Sequence, residues 1–381
     1  MGQGLSSCKN LTLRELIGLQ SIDRSKGANM AIYAIWNNKG GVGKSYLTFQ
    51  VSSEYARQNP NKKVLVLDLC PQANSSSMLL GGMVNGEKKL GDLHAKTPRL
   101  SIAGYIDDRI ISPYQNPKTG ARYLTHVNKQ NREISKNLYL IPGDEKLELQ
   151  ASRVFAATKP GPDDAWRFVH MWIRDLIADI THNWGNTAHT VFVDCNPSFS
   201  IYTELALSTA DRLIIPFSAD GSSKRAVRSV LALVYGVSRQ AGQAQSEFFL
   251  EMQRCSMNRP KIYMYVGNRL TQSHSSSAAA FKTVVGEIGD EIYDVWRANP
   301  NEFCIHPASS TLPTNKKTFH AMFQTEVADA NTASVVSSTL GTPICCMTAG
   351  SKTVLGKNVV INKSQLDRQI SNITHLVQAI E

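Results

Sequence analysis

The sequence predicts a doubly wound α/β fold, a mostly parallel sheet flanked by helices on both faces. Three observations carry this. Short apolar runs alternate with longer stretches of helical periodicity. Most of the runs are apolar on both faces, as strands buried between two helical layers must be. A glycine-rich turn joins the first run to the first helical stretch, the arrangement of a phosphate loop.

The expected elements follow in chain order. Residues 1–29 hold one possible short helix, Leu11–Ile22, too little for a domain, and are read as an extension. Residues 30–381 are read as one domain. Its strands are expected at Ala31–Trp36, Val64–Leu69, Leu138–Ile141, Thr190–Val193, Leu213–Phe217, Ile262–Val266 and Pro343–Met347. A helix is expected over Asp164–His182. There Trp166, Val169, Ile173, Leu176, Ile177 and Ile180 recur at three- and four-residue spacing, and Asp163 or Asp164 can cap it. Residues 83–137 break the rhythm. They are polar and turn-rich, with a basic stretch holding Lys118, Arg122, Lys129, Arg132 and Lys136 in which only Glu133 opposes them. A solvated insertion and a nucleic-acid or partner contact both fit that composition.

Composition narrows the class. At roughly 150 residues per domain, 381 residues allow two domains or one large α/β unit. The hydrophobic share of 42% is ordinary globular usage, which excludes a mostly disordered or fibrous chain. No apolar run reaches the ~18 residues of a membrane span, and MGQGLSSCKN lacks the apolar core of a secretion signal, so a soluble chain is expected. Seven cysteines without a C-x-x-C pair argue against a disulfide framework or a zinc site. The 41 Lys and Arg exceed the 31 Asp and Glu by ten, a surplus that favours polyanionic partners.

The strongest chemical signal is Lys39-Gly40-Gly41-Val42-Gly43-Lys44-Ser45. It follows the first strand and opens a helix in which Leu47, Val51 and Tyr55 share a face. Glycines let the backbone curl so that successive N–H groups point at phosphates, and the positive end of the helix adds to their field. Lys44 can then reach the β- and γ-phosphates of a nucleoside triphosphate, and the Ser45 hydroxyl can ligate Mg²⁺. The loop departs from the general pattern at Asn38, where glycine is usual, and at Lys39. An ammonium so early in the loop cannot easily serve the phosphates that Lys44 holds. It can cross to a nucleotide in a facing subunit, as an arginine finger does. Asp194, at the carboxyl end of an apolar strand, suits a Mg²⁺-bound water, and Asp68 has the same placement on a neighbouring strand. Asn268 follows the strand Ile262–Val266, where its amide can read an adenine edge or simply make a turn.

Asn37-Asn38-Lys39-Gly40-Gly41-Val42-Gly43-Lys44-Ser45 resembles the deviant Walker A motif of the ParA/MinD superfamily of dimerising ATPases. Further segments extend the resemblance in order. Asp68-Leu69-Cys70-Pro71-Gln72-Ala73-Asn74 resembles D-x-D-P-Q-x-N, and Asp194-Cys195-Asn196-Pro197-Ser198 resembles the Walker B end D-x-P-P-S. Asn137–Gly143 and Ala210–Pro216 resemble the N-L-x-x-I-P and A-D-x-x-x-x-P segments.

The resemblance implies an ATPase using ATP and Mg²⁺. Its catalytic residues are Lys39, Lys44, Asp68 and Asp194, its nucleotide contacts run from Asn38 through Lys39, Gly40, Gly41, Val42, Gly43, Lys44 and Ser45 to Tyr46 with Asn268, and its metal ligands are Ser45 and Asp194. It further implies an ATP-dependent homodimer bridged through Lys39, nonspecific DNA binding, and a ParB-like or cargo-adaptor partner that stimulates hydrolysis. Such a protein is cytoplasmic and nucleoid-associated and partitions DNA or positions cargo. Candidate DNA contacts are Lys224, Arg225, Arg228, Arg254, Arg259, Lys261 and Arg269.

One departure matters for turnover. Cys70 stands where the family has its second aspartate, associated with orienting the attacking water, and a neutral thiol accepts hydrogen bonds poorly. Slow hydrolysis, or a regulatory switch with little turnover, is therefore also open. A MinD-like membrane role would need a free amphipathic C-terminal helix. Leu366, Ile370, Ile373, Val377 and Ile380 have the spacing, but the polar face is weak in positive charge, and packing on the sheet is expected. A metal-cluster role would draw on Cys345-Cys346, which an apolar run instead assigns to the core. The start Met1-Gly2-Gln3-Gly4-Leu5-Ser6 fits a myristoylation pattern and is read as coincidence.

Overall fold

The computed structural model describes residues 30–159, 161–237, 244–270 and 276–381, without the side chains of 269–281. The helix expected at Leu11–Ile22, the Met1–Ser6 pattern and the side chain of Arg269 lie outside the described residues.

Eight strands form one sheet: β1 Met30–Ile35, β2 Lys63–Asp68, β3 Thr125–His126, β4 Leu138–Ile141, β5 His189–Asp194, β6 Arg212–Phe217, β7 Lys261–Leu270 and β8 Gln324–Ala328. Their order is β3-β4-β2-β5-β1-β6-β7-β8, and every pairing is parallel except that of β3 with β4. Because successive side chains point to opposite faces, each central strand feeds two cores. Ile32, Ala34, Leu65, Leu67, Val191, Val193, Leu213 and Ile215 enter one. Tyr33, Ile35, Val64, Val66, Phe192 and Ile214 enter the other. The double-sided apolarity of the runs is thus explained by helices on both faces.

Helix α1, Lys44–Gln58, buries Leu47, Val51 and Tyr55 against the second core. The stretch expected as one helix over Asp164–His182 is two, Ala165–His170 and Trp172–His182, broken at Met171. The apolar positions that suggested it are buried as expected.

Two expectations are corrected. Pro343–Met347 is no strand but a 3-10 turn, Ile344–Cys346. The Ile344 N–H donates to the Gln50 side chain at 2.8 Å, so an apolar run of this length is satisfied without a sheet partner. The sheet edge is taken by β8, whose sequence QTEVA has no apolar run to betray it. Residues 83–137 are also no solvated insertion. They contribute helices Gly82–His94, Ile102–Ile111 and Val127–Gln130 and the edge strand β3. Ile102, Tyr105, Ile106, Tyr123 and Val127 are buried there, and the buried Arg109 pairs with Asp175 at 2.8 Å. The polar composition belongs to the outer surface, where Lys118, Arg122, Lys129, Arg132 and Lys136 are all exposed.

The C-terminal helix, Lys363–Gln378, buries Leu366, Ile373 and Val377 in the second core, and Tyr46 donates to Gln369 at 3.0 Å. Its apolar face is spent on the protein's own sheet. Among the described residues no helix is long and apolar enough to cross a membrane.

Candidate functional site

Strand β1 lies between β5 and β6, where the chain's winding reverses direction across the sheet, and crevices at such points face the carboxyl ends of the strands. The glycine-rich loop leaves β1 there. Asn37 is fully buried and donates to the Pro216 carbonyl at 2.7 Å, pinning the loop to β6. Gly41 and Gly43 have φ of 77° and 78°. A Cβ on Gly41 would meet nothing within 4 Å, so its backbone angle, not crowding, demands glycine. Gly43 starts α1 in a left-handed conformation without a side-chain cap, which leaves first-turn N–H groups for a ligand.

Lys44 turns back over the loop, donating to the carbonyls of Lys39 at 2.6 Å and Asn37 at 3.2 Å. Burial lowers its pKa from the ordinary lysine value, while Asp194 opposes that shift. Asp194 pairs in register with Asp68 of β2 and with Ile35 of β1. Burial, then repulsion from Asp68, pushes its carboxyl up to about 7, against the favourable Ser45, Ser75 and Lys44 groups nearby. Both Asp194 oxygens are buried without a well-formed hydrogen bond, although the Ser45 and Ser75 hydroxyls lie close enough to favour its charged form. Two such acceptors beside a buried ammonium and the Ser45 hydroxyl fit a hydrated divalent cation.

Asp68 is differently employed. Its oxygens accept from the Cys70 N–H at 3.0 Å and from the Ser76 N–H and hydroxyl at 3.0 and 2.7 Å. It therefore organises the turn that carries Cys70. Burial, then the charges of Asp68 and Asp194, push the Cys70 thiol up to about 12, so it stays neutral at physiological pH.

A cavity of about 350 Å³ opens over the loop, with Gly40, Gly41, Gly43, Lys44, Ser45 and Tyr46 on its wall. Cys70, Gln72 and Asn74 face them, and Met83, Glu87, Ser338 and Thr339 close the far side. Of the residues singled out from sequence, Asn38, Lys39, Val42, Asp68, Asp194 and Asn268 do not line it. Asn268 is buried beneath the loop and donates to the Val42 carbonyl at 2.9 Å, bracing the loop from below. Gln72 and Asn74 sit in a motif the sequence displayed. Ser338 and Thr339 had no sequence signal, because they arrive only through the packing of helix Thr332–Leu340 against Gly82–His94. There a Cβ on Gly82 would come within 2.2 Å of the Thr339 carbonyl oxygen.

Lys39 points away from the cavity within its own chain. Its ammonium is held by the Asp220 carboxylate and by the hydroxyls of Ser218 and Ser223, each at 3.2 Å. Burial opposes ionisation of Asp220, but hydrogen bonds from Lys39, Ser218 and Ser222 outweigh it and hold the carboxyl far below its usual range.

The candidate DNA contacts do not form one face. Lys224, Arg225 and Arg228 lie on helix Gly221–Tyr235, which follows the carboxyl end of β6. Arg259 and Lys261 stand at the start of β7, at the opposite end of the sheet. Four are already neutralised: Lys224 by Glu287 at 2.8 Å, Arg228 by Glu291 at 2.6 Å, Arg254 by Glu251 at 2.7 Å and Arg259 by Glu302 at 2.6 Å.

A parallel sheet with a glycine-rich loop opening α1 at its switch point defines a P-loop nucleoside-triphosphatase fold. Residues 30–246, more than half of the chain, match the AAA domain family model, and the chain belongs to that family, in its ParA/MinD-type branch. No curated protein matches it in sequence. Among solved structures, apo McdA from Cyanothece is 13% identical with a TM-score of 0.52, covering 91% of this chain and 99% of that one. A putative plasmid partition protein from Borrelia burgdorferi bound to AMPPNP is 15% identical, with a TM-score of 0.42 over 77% of this chain and 96% of that one. Cobyrinic acid a,c-diamide synthase from Mycobacterium smegmatis, with bound ATP analog and magnesium, is 17% identical, with a TM-score of 0.44 over 69% of this chain and 82% of that one. The McdA likeness shows a shared fold.

Proposed function

We propose that residues 30–381 act as one ParA-like ATPase unit that dimerises with Mg-ATP, binds DNA without sequence preference, and partitions DNA or positions cargo with a stimulating partner protein. The observation that carries this is the buried pair of acceptor oxygens on Asp194, set beside Lys44 and Ser45 under a glycine-rich cradle. Loop N–H groups and Lys44 would hold the triphosphate, and Ser45 with Asp194 would hold the magnesium through its waters. Bound there, the metal would neutralise charge developing on the phosphates. Gly41 and Gly43 keep the loop open to the ligand, Asn37 and Asn268 fix its position, and Asp68 shapes the turn that faces it. Lys39 would leave Asp220 and reach the nucleotide of a second copy.

A second reading is favoured by Cys70. A buried thiol held neutral offers no negative acceptor for a water, so the chain would work as a nucleotide-binding switch with little turnover of its own. Calorimetry in magnesium buffer tests ATP uptake, and mass in solution with ATP, ADP and no nucleotide tests dimerisation. Wild type should bind ATP and double its mass, Lys39→Ala should bind and stay monomeric, and Asp194→Ala should lose the magnesium dependence of binding. No adenylate uptake by wild type would overturn both readings.

A further inference from the structure

Among the described residues, a group of cations without carboxylate partners stands apart from the ones first considered, of which Lys224, Arg228, Arg254 and Arg259 are paired. Strands β2 and β4 pair through Val64 and Leu138. Lys62 and Lys136 each stand two residues upstream of that pair, and Lys63 begins β2 beside them. The Asn137 amide stitches the two strand starts together, donating to the carbonyl of Lys62 at 2.8 Å and of Asn59 at 2.9 Å. Lys129 and Arg132 are exposed in the short segment that leads to Lys136, anchored by the buried Asn131 and Ile134, and the Lys136 carbonyl bonds the His126 ring at 2.6 Å.

Among the described residues none of these five cations forms an ion pair, in contrast to Lys224, Arg228, Arg254 and Arg259. Lys62 instead rests on Tyr55, donating to its hydroxyl at 3.0 Å, and Lys63 lies 5.1 Å from the Trp184 ring. Tyr139 stacks on His126 at 5.0 Å and meets the buried Trp184 at a tilt at 5.2 Å, so that an aromatic row runs beside Lys63. Glu133 is the only acid from residue 118 to residue 138. Like charges placed side by side on adjacent strands destabilise the fold unless something outside it compensates. A phosphate backbone does so while releasing its own counterions.

We propose that this surface, the amino ends of β2 and β4 with the segment Lys129–Lys136, is where the protein grips the phosphate backbone of duplex DNA. The inference rests on the DNA-binding reading above and gives it a location. Lys62, Lys63 and Lys136 stand at the amino ends of β2 and β4, opposite the strand ends that carry the phosphate loop, while the Lys129–Arg132 turn is tied through Asn131 to the Leu79 and Gly341 carbonyls. On helix Gly221–Tyr235, beside Lys39, Lys224 and Arg228 are already paired and have little charge to give, which leaves the exposed Arg225 as that helix's one cation without an ion pair among the described residues.

The test uses the full chain with ATP and magnesium and a fluorescent duplex of arbitrary sequence, titrated over a range of salt. For Lys129→Ala/Arg132→Ala/Lys136→Ala the slope of log affinity against log salt should shrink by about 3, and binding near physiological salt should weaken on the order of 100-fold. Lys224→Ala/Arg228→Ala should keep the wild-type slope. A triple variant that binds like wild type, or a loss confined to the Lys224/Arg228 variant, overturns the surface. Nucleotide uptake on the same samples separates the two readings. A wild type that takes up ATP but ignores duplex overturns the surface and leaves the ATP site standing. Should wild type take up no nucleotide, the ATP reading falls, and the surface is decided by the same slopes on nucleotide-free protein.

Discussion

Asp220→Asn is expected to tighten the nucleotide-dependent dimer. The Asp220 carboxylate does two things. One oxygen caps helix Gly221–Tyr235, accepting from the N–H groups of Ser222 and Ser223 at 3.0 and 3.1 Å. The other holds the Lys39 ammonium. Asparagine keeps an acceptor for the cap and removes the charge, so the helix should be disturbed little. The Lys39 side chain is 22% exposed and that of Asp220 47%, which places the contact among surface ion pairs. With two serine hydroxyls helping, about 0.5–1 kcal/mol per contact is reasonable. A dimer that uses both lysines in trans breaks two such contacts, about 1–2 kcal/mol, or a factor of about 5–30 in its Kd. Sedimentation or mass photometry over a dilution series, with a non-hydrolysable ATP analogue, reads that Kd. Lys39→Ala should be monomeric with or without Asp220→Asn, since the latch matters only through its lysine. An unchanged or weaker dimer in Asp220→Asn, with thermal stability intact, would refute the reasoning.

Three further outcomes follow from the same geometry. Cys70→Asp should raise basal phosphate release by supplying the missing acceptor, with Cys70→Ser as control, and a wild type already as fast as Cys70→Asp sinks the idea. Asp194, with a folded-state carboxyl near 7 against about 3.9 unfolded, binds a proton more tightly when folded. Its penalty is therefore present above about pH 7 and relieved as pH falls toward 4, so the metal-free Tm should rise on acidification through that window, and Asp194→Asn should flatten the profile. Gly82→Ala meets the Thr339 carbonyl oxygen at 2.2 Å and the Gly341 nitrogen at 2.5 Å, at a φ of +82°. It should cost about 3 kcal/mol or more, read by thermal unfolding, because both neighbours are backbone and cannot move aside.

Much of the fold was legible in the residues. Val64–Leu67 and Val191–Val193 are apolar at every position, which only a strand covered on both faces tolerates, and the strands that hold them lie within one or two residues of the expected bounds. The loop Lys39–Ser45 was legible because its chemistry is local: glycines at fixed spacing, a lysine and a hydroxyl. Strand β8 and the turn at Ile344–Cys346 were misread for one reason. Strand identity at a sheet edge depends on which neighbour offers free N–H and C=O groups, and five residues of sequence carry no record of that neighbour. Residues 83–137 looked solvated because their many polar side chains hide Ile102, Tyr105, Ile106 and Tyr123, which do the packing.

The amino-acid order alone determined the sheet's central strands, the phosphate loop and the strand-end carboxylates, since each rests on contacts within a few residues or on a repeating pattern. Only tertiary structure decided how those groups are used. It spends Asp68 on a turn, leaves the Asp194 oxygens without a well-formed hydrogen bond, draws Asn268 under the loop, and folds Lys39 onto Asp220 from 181 residues away. It also sorts cations of equal charge into those paired with a carboxylate, such as Lys224 and Arg228, and, among the described residues, those without one, such as Lys62, Lys63 and Lys136 at the amino ends of β2 and β4. Such distinctions depend on distances between segments remote in sequence, and the energy of a charge is set by what the fold brings beside it.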